Sequence, residues 1–272
     1  VAEIFGFDCY SPNEIAERIE TVGVTKARLP LSSLFILGVL AGGFIGLGAL
    51  YFTLVTSDAQ LTFAASQLLG GVAFSLGLVL VVVAGAELFT GNNLLVMAWA
   101  SKRITTAELA KNWSVVYLAN LLGALGLVAL VYLSGHWRMN DGAVGANAVK
   151  IALAKATLPF WDAFFKGILC NILVCLALWL ALAGRGVADK ILAIVFPISA
   201  FVAAGFEHSI ANMYFIPLGI LLKDQIAVNG SDQLSWSSFI SNLVPVTIGN
   251  IIGGAVMVAL VYYLVYRRQR EG

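Results

Sequence analysis

The sequence predicts an all-α polytopic membrane protein, with six transmembrane helices in a three-plus-three inverted repeat and broken second and fifth helices. Three observations carry this expectation. The 272 residues are 60% hydrophobic and 11% charged, with a mean hydropathy of +0.91, well outside the range of soluble domains. Apolar stretches of membrane-crossing length recur along the chain, a bilayer core needing roughly 20 helical residues. Two polar, glycine-broken interruptions, Ala84-Gly85-Ala86-Glu87-Leu88-Phe89-Thr90-Gly91-Asn92 and Ala204-Gly205-Phe206-Glu207-His208-Ser209-Ile210-Ala211-Asn212, share the pattern A-G-x-E-x4-N inside such stretches. A charge at membrane depth costs roughly 2.5–3.5 kcal/mol on insertion scales, so such residues point to function.

Composition also excludes other classes. A net charge of +1 offers no basic surface for nucleic acid. Cys9, Cys170 and Cys175 imply neither a disulfide framework nor a metal site, the last two lying five positions apart in one apolar helix. No cofactor is expected. The opening residues carry no charged segment followed by an apolar one, so no cleaved signal peptide is read there.

In chain order, Ser11-Pro12-Asn13-Glu14 reads as a capping box with proline at the first helical position. Ile15, Ile19 and Val22 follow on one face, which predicts a short amphipathic helix on the membrane surface within an N-terminal segment, residues 1–28. A first span over residues 31–55 carries Gly38, Gly42, Gly43, Gly46 and Gly48 for close helix packing inside the bundle. The apolar region 61–99 is too long for one crossing and should break at 85–93, where glycines, a glutamate and asparagines suit a cavity lining. A third span covers 113–134, closing the first repeat, 29–135. Residues 135–154 read as a polar loop, within an external connection at 136–158. The second repeat, 159–267, holds a fourth span over 159–183, a broken fifth region over 191–222, the polar stretch Asn229-Gly230-Ser231-Asp232 and a sixth span. A short tail, 268–272, ends the chain.

An even number of spans puts both termini on one side, and basic residues choose it. With the termini inside, the inner segments hold Arg18, Lys26, Arg28, Lys102, Arg103, Lys111, Arg185, Lys190, Arg267, Arg268 and Arg270, against Arg138, Lys150, Lys155 and Lys223 outside. Lys166 falls inside span four. Both termini are therefore expected to be cytoplasmic.

The halves align at three places. Asn112-x7-Asn120-Leu-Leu-Gly123 matches Asn242-x7-Asn250-Ile-Ile-Gly253; the two interruptions match each other; and Gly38-Val39-Leu40 matches Gly167-Ile168-Leu169, with Gly42 opposite Asn171. Three spans per half is an odd number, so the second half should enter the membrane from the opposite side. The broken helices then meet near the midplane, where half-helix ends can receive a small anion. Within the paired interruptions Leu88 stands opposite His208, so the shared residues should build the breaks and the unshared histidine supply the chemistry.

Lys111-Asn112-Trp113-x3-Tyr117-x2-Asn120, Gly167-Ile168-Leu169-Cys170-Asn171, Gly205-Phe206-Glu207-His208-Ser209-Ile210-Ala211-Asn212-Met213 and Ile248-Gly249-Asn250-Ile251-Ile252-Gly253-Gly254 resemble segments of the formate/nitrite transporter family, most closely its bacterial formate channels. The resemblance covers essentially the whole chain. It implies an aquaporin-like fold in a homopentamer in the bacterial inner membrane, each protomer passing formate or a related small monovalent anion. By motif, His208 resembles the central pore histidine, Thr90 the hydroxyl of the first loop, and Asn171 the amide that faces the histidine. Glu207 would steady the second loop beside Asn212, and Lys155 resembles the vestibule lysine that draws anions inward. Phe74 and Phe201 would form the outer constriction, and Leu78, Leu88 and Phe89 the inner one. Lys166 receives no family role; a subunit interface or outward snorkelling are both open to it.

A bare formate ion in an apolar constriction would lose hydration worth up to tens of kcal/mol in an ideal low-dielectric medium, whereas protonating a carboxylate of pKa about 4 at pH 7 costs about 4 kcal/mol. Neutral passage is cheaper. From an imidazolium of ordinary pKa the transfer is uphill by roughly 3.4 kcal/mol, so protons join formate and membrane lipid among the expected partners. Glu87 and Glu207 are read as caps for loop amides, and Asn112, Asn120, Asn242 and Asn250 as interhelical glue. The alternatives are nitrite or hydrosulfide as the permeant species, and an intramembrane enzyme using Ser209 and His208, whose adjacency in sequence argues against a dyad.

Overall fold

The computed structural model describes residues 9–58 and 60–267, and among them every regular element is helical. The tail with Arg268 and Arg270 and the first eight residues lie outside the described residues. Among the described residues, five helices are long and apolar enough to cross a membrane: Leu31–Val55, Phe63–Gly85, Thr106–Ser134, Phe160–Ala183 and Trp236–Tyr266. A sixth apolar region is divided into two shorter helices, α8 (Val187–Ala203) and α9 (Ser209–Leu222).

Helix α1 (Pro12–Ala27) starts with the expected capping box, Ser11 and Glu14 each bonding to the other's backbone, and with Pro12 in the first turn. Its face of Ile15, Ala16, Ile19 and Ala27 does not lie against lipid. It packs into a cluster with Leu95, Trp179, Ala255 and Val258, and Glu20 beneath it meets Arg267 at 3.0 Å and Arg103 at 3.6 Å. The surface-helix expectation is thus corrected. An apolar stripe this short is covered as well by protein as by membrane, and the buried Glu20 needs cations that only the bundle supplies.

Helices α2 (Leu31–Val55) and α5 (Thr106–Ser134) pack backbone to backbone. A Cβ at Gly42 would fall on the Asn120 carbonyl, and one at Gly123 on that of Val39. In the second half α7 (Phe160–Ala183) and α10 (Trp236–Ile251) repeat the arrangement, Gly249 against the Phe164 carbonyl and Gly253 against that of Ile168. The third span begins seven residues earlier than expected, at Thr106, behind a Thr105–Glu108 capping box; Lys111 and Asn112 do not end the helix because the amide is turned inward and hydrogen-bonded.

The region read as a polar loop contains a helix, α6 (Ala143–Ala156), burying Val144, Ala148, Val149 and Ala152. Small residues and interspersed Asn147, Lys150 and Lys155 dilute its apolar stripe below the level a hydropathy reading detects. It packs against α9. That helix is apolar on almost its whole circumference and is the buried centre of the bundle, as such a sequence requires.

Candidate functional site

Both breaks end their first half-helix in the same way. The α3 helix (Phe63–Val79) continues as a π-helical turn, Leu80–Gly85, and closes with Ala86 N–H donating to the Val81 carbonyl at 2.9 Å. Helix α8 closes with Phe206 N–H donating to the Phe201 carbonyl at 3.0 Å. In each, a left-handed glycine turns the chain, Gly85 at φ +86° and Gly205 at φ +68°, the combination that terminates helices in a Schellman-type cap. Chain direction then resumes in a 3-10 turn at Gly91–Leu95 with α4 (Val96–Ala100), and in α9.

A duplicated polar frame holds the two breaks. Glu87 pairs with Lys26 at 2.9 Å and Glu207 with Lys155 at 2.8 Å. The second carboxylate oxygen accepts at 2.7 Å from the amide of Asn92 in one half and Asn212 in the other. Those amides also donate to Asn112 and Asn242, which donate in turn to the carbonyls of Lys26 and Lys155. Asn120 donates to the carbonyls of Gly38 and Glu87 and accepts from Phe89 N–H; Asn250 donates to those of Gly167 and Glu207 and accepts from Ser209 N–H. Every one of these groups would cost about 1–3 kcal/mol if buried unpaired, so the side chains replace the backbone partners that the broken helices give up. The carboxylates thus each join a lysine to an asparagine side chain of the break, and Asn112, Asn120, Asn242 and Asn250 hydrogen-bond between segments. The pairing of Lys26 was missed. Its signal was present, since Lys26 stands twelve residues before Gly38 as Lys155 does before Gly167.

The two breaks differ where His208 stands opposite Leu88. His208 is the N-cap of α9, and its Nδ1 accepts from Ala211 N–H at 3.1 Å. Nδ1 therefore carries no proton, and the proton of the neutral ring is on Nε2. From there it is donated to Thr90 Oγ1 at 2.9 Å, which leaves the Thr90 hydroxyl hydrogen free to be donated onward. Both residues are almost completely buried. One on each break, they bring the two loops together.

Two cavities approach this pair. One of about 460 Å³ lies beside α1, with Leu37, Leu78, Val81, Glu87 and Leu88 in its wall. The other, about 320 Å³, is bordered by α6 and lined by Phe74, Phe201, His208, Lys155 and Glu207 among others. Phe74 and Phe201 meet edge to face with centroids 5.7 Å apart, and Phe201 stacks on the His208 ring at 6.0 Å. Leu78 and Leu88 thus face one cavity, and Phe74 and Phe201 the other. Phe89 differs from expectation. It is not in either wall, and its ring packs edge-on to Tyr117 and Trp113 at 4.9 and 6.1 Å.

Asn171 makes no hydrogen bond to His208. Its Nδ2 donates to the carbonyls of Thr90 and Asn250 and to Asn93 Oδ1, so it holds the first loop and, through Thr90, the histidine. Lys155 is not a free vestibule cation but the partner of Glu207, and its Nζ also lies 5.3 Å from the Phe215 ring centroid.

The formate/nitrite transporter family model matches residues 13–264. The formate channel FocA of Escherichia coli K12 is 44% identical over 97% of both chains, and a probable formate transporter of Methanothermobacter thermautotrophicus is 37% identical over 95% of this chain and 98% of that one. Among solved structures, a pentameric formate channel with formate bound superposes with a TM-score of 0.82 at 40% identity, over 87% of this chain and 97% of that one. The Plasmodium falciparum aquaglyceroporin, at 16% identity and a TM-score of 0.55, shares the fold alone. With its motifs, duplicated frame and full-length matches in agreement, the chain belongs to the formate/nitrite transporter family.

Proposed function

We propose that this chain carries formate across the bacterial inner membrane through a path within each protomer of a homopentamer, with both termini cytoplasmic and the second half inverted relative to the first. The α1-side cavity is then the inner vestibule and the α6-side cavity the outer one. The observation that carries the reading is the Thr90–His208 pair at 2.9 Å, the polar contact between the two breaks. The relatives' formate and the solved channel's pentamer support substrate and assembly. Strongly exposed apolar residues such as Leu130, Leu133 and Phe196 suit contact with lipid or a neighbouring protomer.

A formate ion entering between Phe74 and Phe201 leaves water and meets hydrogen-bond donors in their place. The Nε2–H of His208 polarises Thr90, whose hydroxyl donates to a carboxylate oxygen. A full proton for the anion needs His208 to be doubly protonated, hence a proton on Nδ1 and release of the Ala211 cap. Proton transfer and a small movement at the start of α9 are thereby coupled. Passage as formic acid avoids the Born cost of the bare anion.

An enzyme built on Ser209 and His208 has no support in the geometry. Both ring nitrogens are engaged elsewhere, leaving no base for the serine. The second transport reading, nitrite or hydrosulfide, shares the same pore groups. Proteoliposome flux of formate, nitrite, hydrosulfide and chloride from pH 5 to 8 tests the proposal: formate should lead, with flux rising as pH falls, and equal chloride flux would refute it.

A further inference from the structure

Resting on the transport reading above, we propose that the net positive charge of each vestibule comes from a lysine outside the repeated frame, Lys166 in the outer cavity and Lys190 in the inner one. These side chains, and not Lys155 and Lys26, gather the small monovalent carboxylate at the two mouths.

The charged residues lining the outer cavity are Lys155, Lys166 and Glu207. Lys155 and Glu207 cancel, at 2.8 Å with side-chain exposures of 17% and 4%. Asn212 holds the free carboxylate oxygen, and Asn242 holds the Lys155 carbonyl. Such a fixed pair is a dipole, and its field falls off faster with distance than that of a single charge. Lys166 is half-buried in the same wall, and among the described residues its ammonium has no ion pair. Asp162, one helical turn before it, is exposed and forms no salt bridge with it. The Lys166 backbone is tied to the second break, its carbonyl accepting from Glu207 N–H at 3.3 Å.

The inner cavity repeats the arithmetic with different residues. Lys26, Glu87 and Lys190 line it. Lys26 is taken by Glu87 at 2.9 Å and by Asn92 Oδ1 at 3.1 Å. Lys190 has no ion pair among the described residues, and the neighbouring Asp189 is engaged with the N–H groups of Gly186 and Arg185. The repeat shows that the free charge is not part of the scaffold. Glu87 N–H donates to the Leu37 carbonyl as Glu207 N–H does to that of Lys166, so leucine occupies the equivalent place in the first half. One unpaired cation per mouth raises local anion concentration without placing charge at the constriction.

The test is formate uptake into right-side-out membrane vesicles from a host without other formate transporters, at ionic strengths of about 10 mM and about 1 M. One unit charge roughly 10 Å from the anion, at an effective dielectric of about 20 to 40, corresponds to about a 4- to 17-fold change in occupancy. Lys166→Gln should raise the half-saturating formate concentration by that factor at low ionic strength, with unchanged maximal flux and little effect at high salt, where the Debye length is about 3 Å. Lys166→Arg should behave as wild type. Lys155→Gln should instead lower maximal flux, and Lys190→Gln should show the salt-dependent effect in inverted vesicles. An unshifted half-saturation in Lys166→Gln, or the same shift at both ionic strengths, overturns the inference. Should that variant not assemble, a wild-type half-saturation independent of salt overturns it. Absence of any formate uptake by the wild type would instead refute the transport reading itself.

Discussion

Replacing Glu207 by glutamine tests the frame at its most buried ion pair. The substitution leaves Lys155, with only 17% side-chain exposure, charged and without its counter-ion. It also turns into an NH2, which cannot accept, one of the two carboxylate oxygens that accept from Lys155 Nζ at 2.8 Å and from Asn212 Nδ2 at 2.7 Å. Removing one partner of a buried pair costs about 3–5 kcal/mol, which at about 2–4 °C per kcal/mol for a chain of this size class predicts a fall in melting temperature of about 6–20 °C. The assay is thermal unfolding in detergent followed by tryptophan fluorescence, all variants at one scan rate because unfolding of such proteins is often irreversible. Adding Lys155→Met should recover part of the loss. Glu87→Gln should cost less, since Lys26 has 27% side-chain exposure and water screens it. If Glu207→Gln melted within about 2 °C of wild type, or if the double variant were simply additive, the ion pair would not be holding the second break, and the reasoning would fail.

Other perturbations address other links. Thr90→Val keeps the volume of the side chain but leaves His208 Nε2–H without an acceptor, a loss of about 1–3 kcal/mol; formate flux in proteoliposomes should drop about 5- to 150-fold while pentamer elution is unchanged. Gly42→Ala drives a methyl group into the Asn120 carbonyl and should lower the melting temperature by at least the equivalent of about 1–3 kcal/mol, whereas Gly126→Ala, with nothing within 4 Å of the new Cβ, should raise stability by up to about 1 kcal/mol. Glu20→Gln removes the carboxylate that faces Arg103 and Arg267; amide hydrogen exchange should accelerate across α1 and not across α9.

The scaffold was largely legible because it is written twice. Glycines that let backbones touch, carboxylates that join a lysine to an asparagine of the break and asparagines that substitute for lost helix partners must recur when the same break is built in each half, so A-G-x-E-x4-N and N-x7-N located the frame. Its lysines were less legible, since Lys26 and Lys155 sit in segments with little other repeat signal and a lysine near a membrane edge reads first as a topology marker. α6 escaped because its buried stripe is largely alanine and valine among polar residues. Phe89 departs from expectation because nothing in a loop sequence says which of two adjacent apolar side chains lines a cavity; only the folded loop separates Leu88 from Phe89. Lys166 could not be placed by motif; what sets it apart is that Lys26 and Lys155 are held in ion pairs.

The most direct test of the central claim, that His208 and Thr90 pass formate as the neutral acid, is the number of protons that enter with each formate. Proteoliposomes loaded with a pH indicator and held at a set membrane potential would report labelled formate, internal acidification and potential dependence together. The account predicts close to one proton per formate and uptake insensitive to the potential, with both proton entry and pH-dependent uptake lost in His208→Phe. Formate uptake driven by an inside-positive potential with no accompanying acidification, or unchanged in His208→Phe, would contradict it.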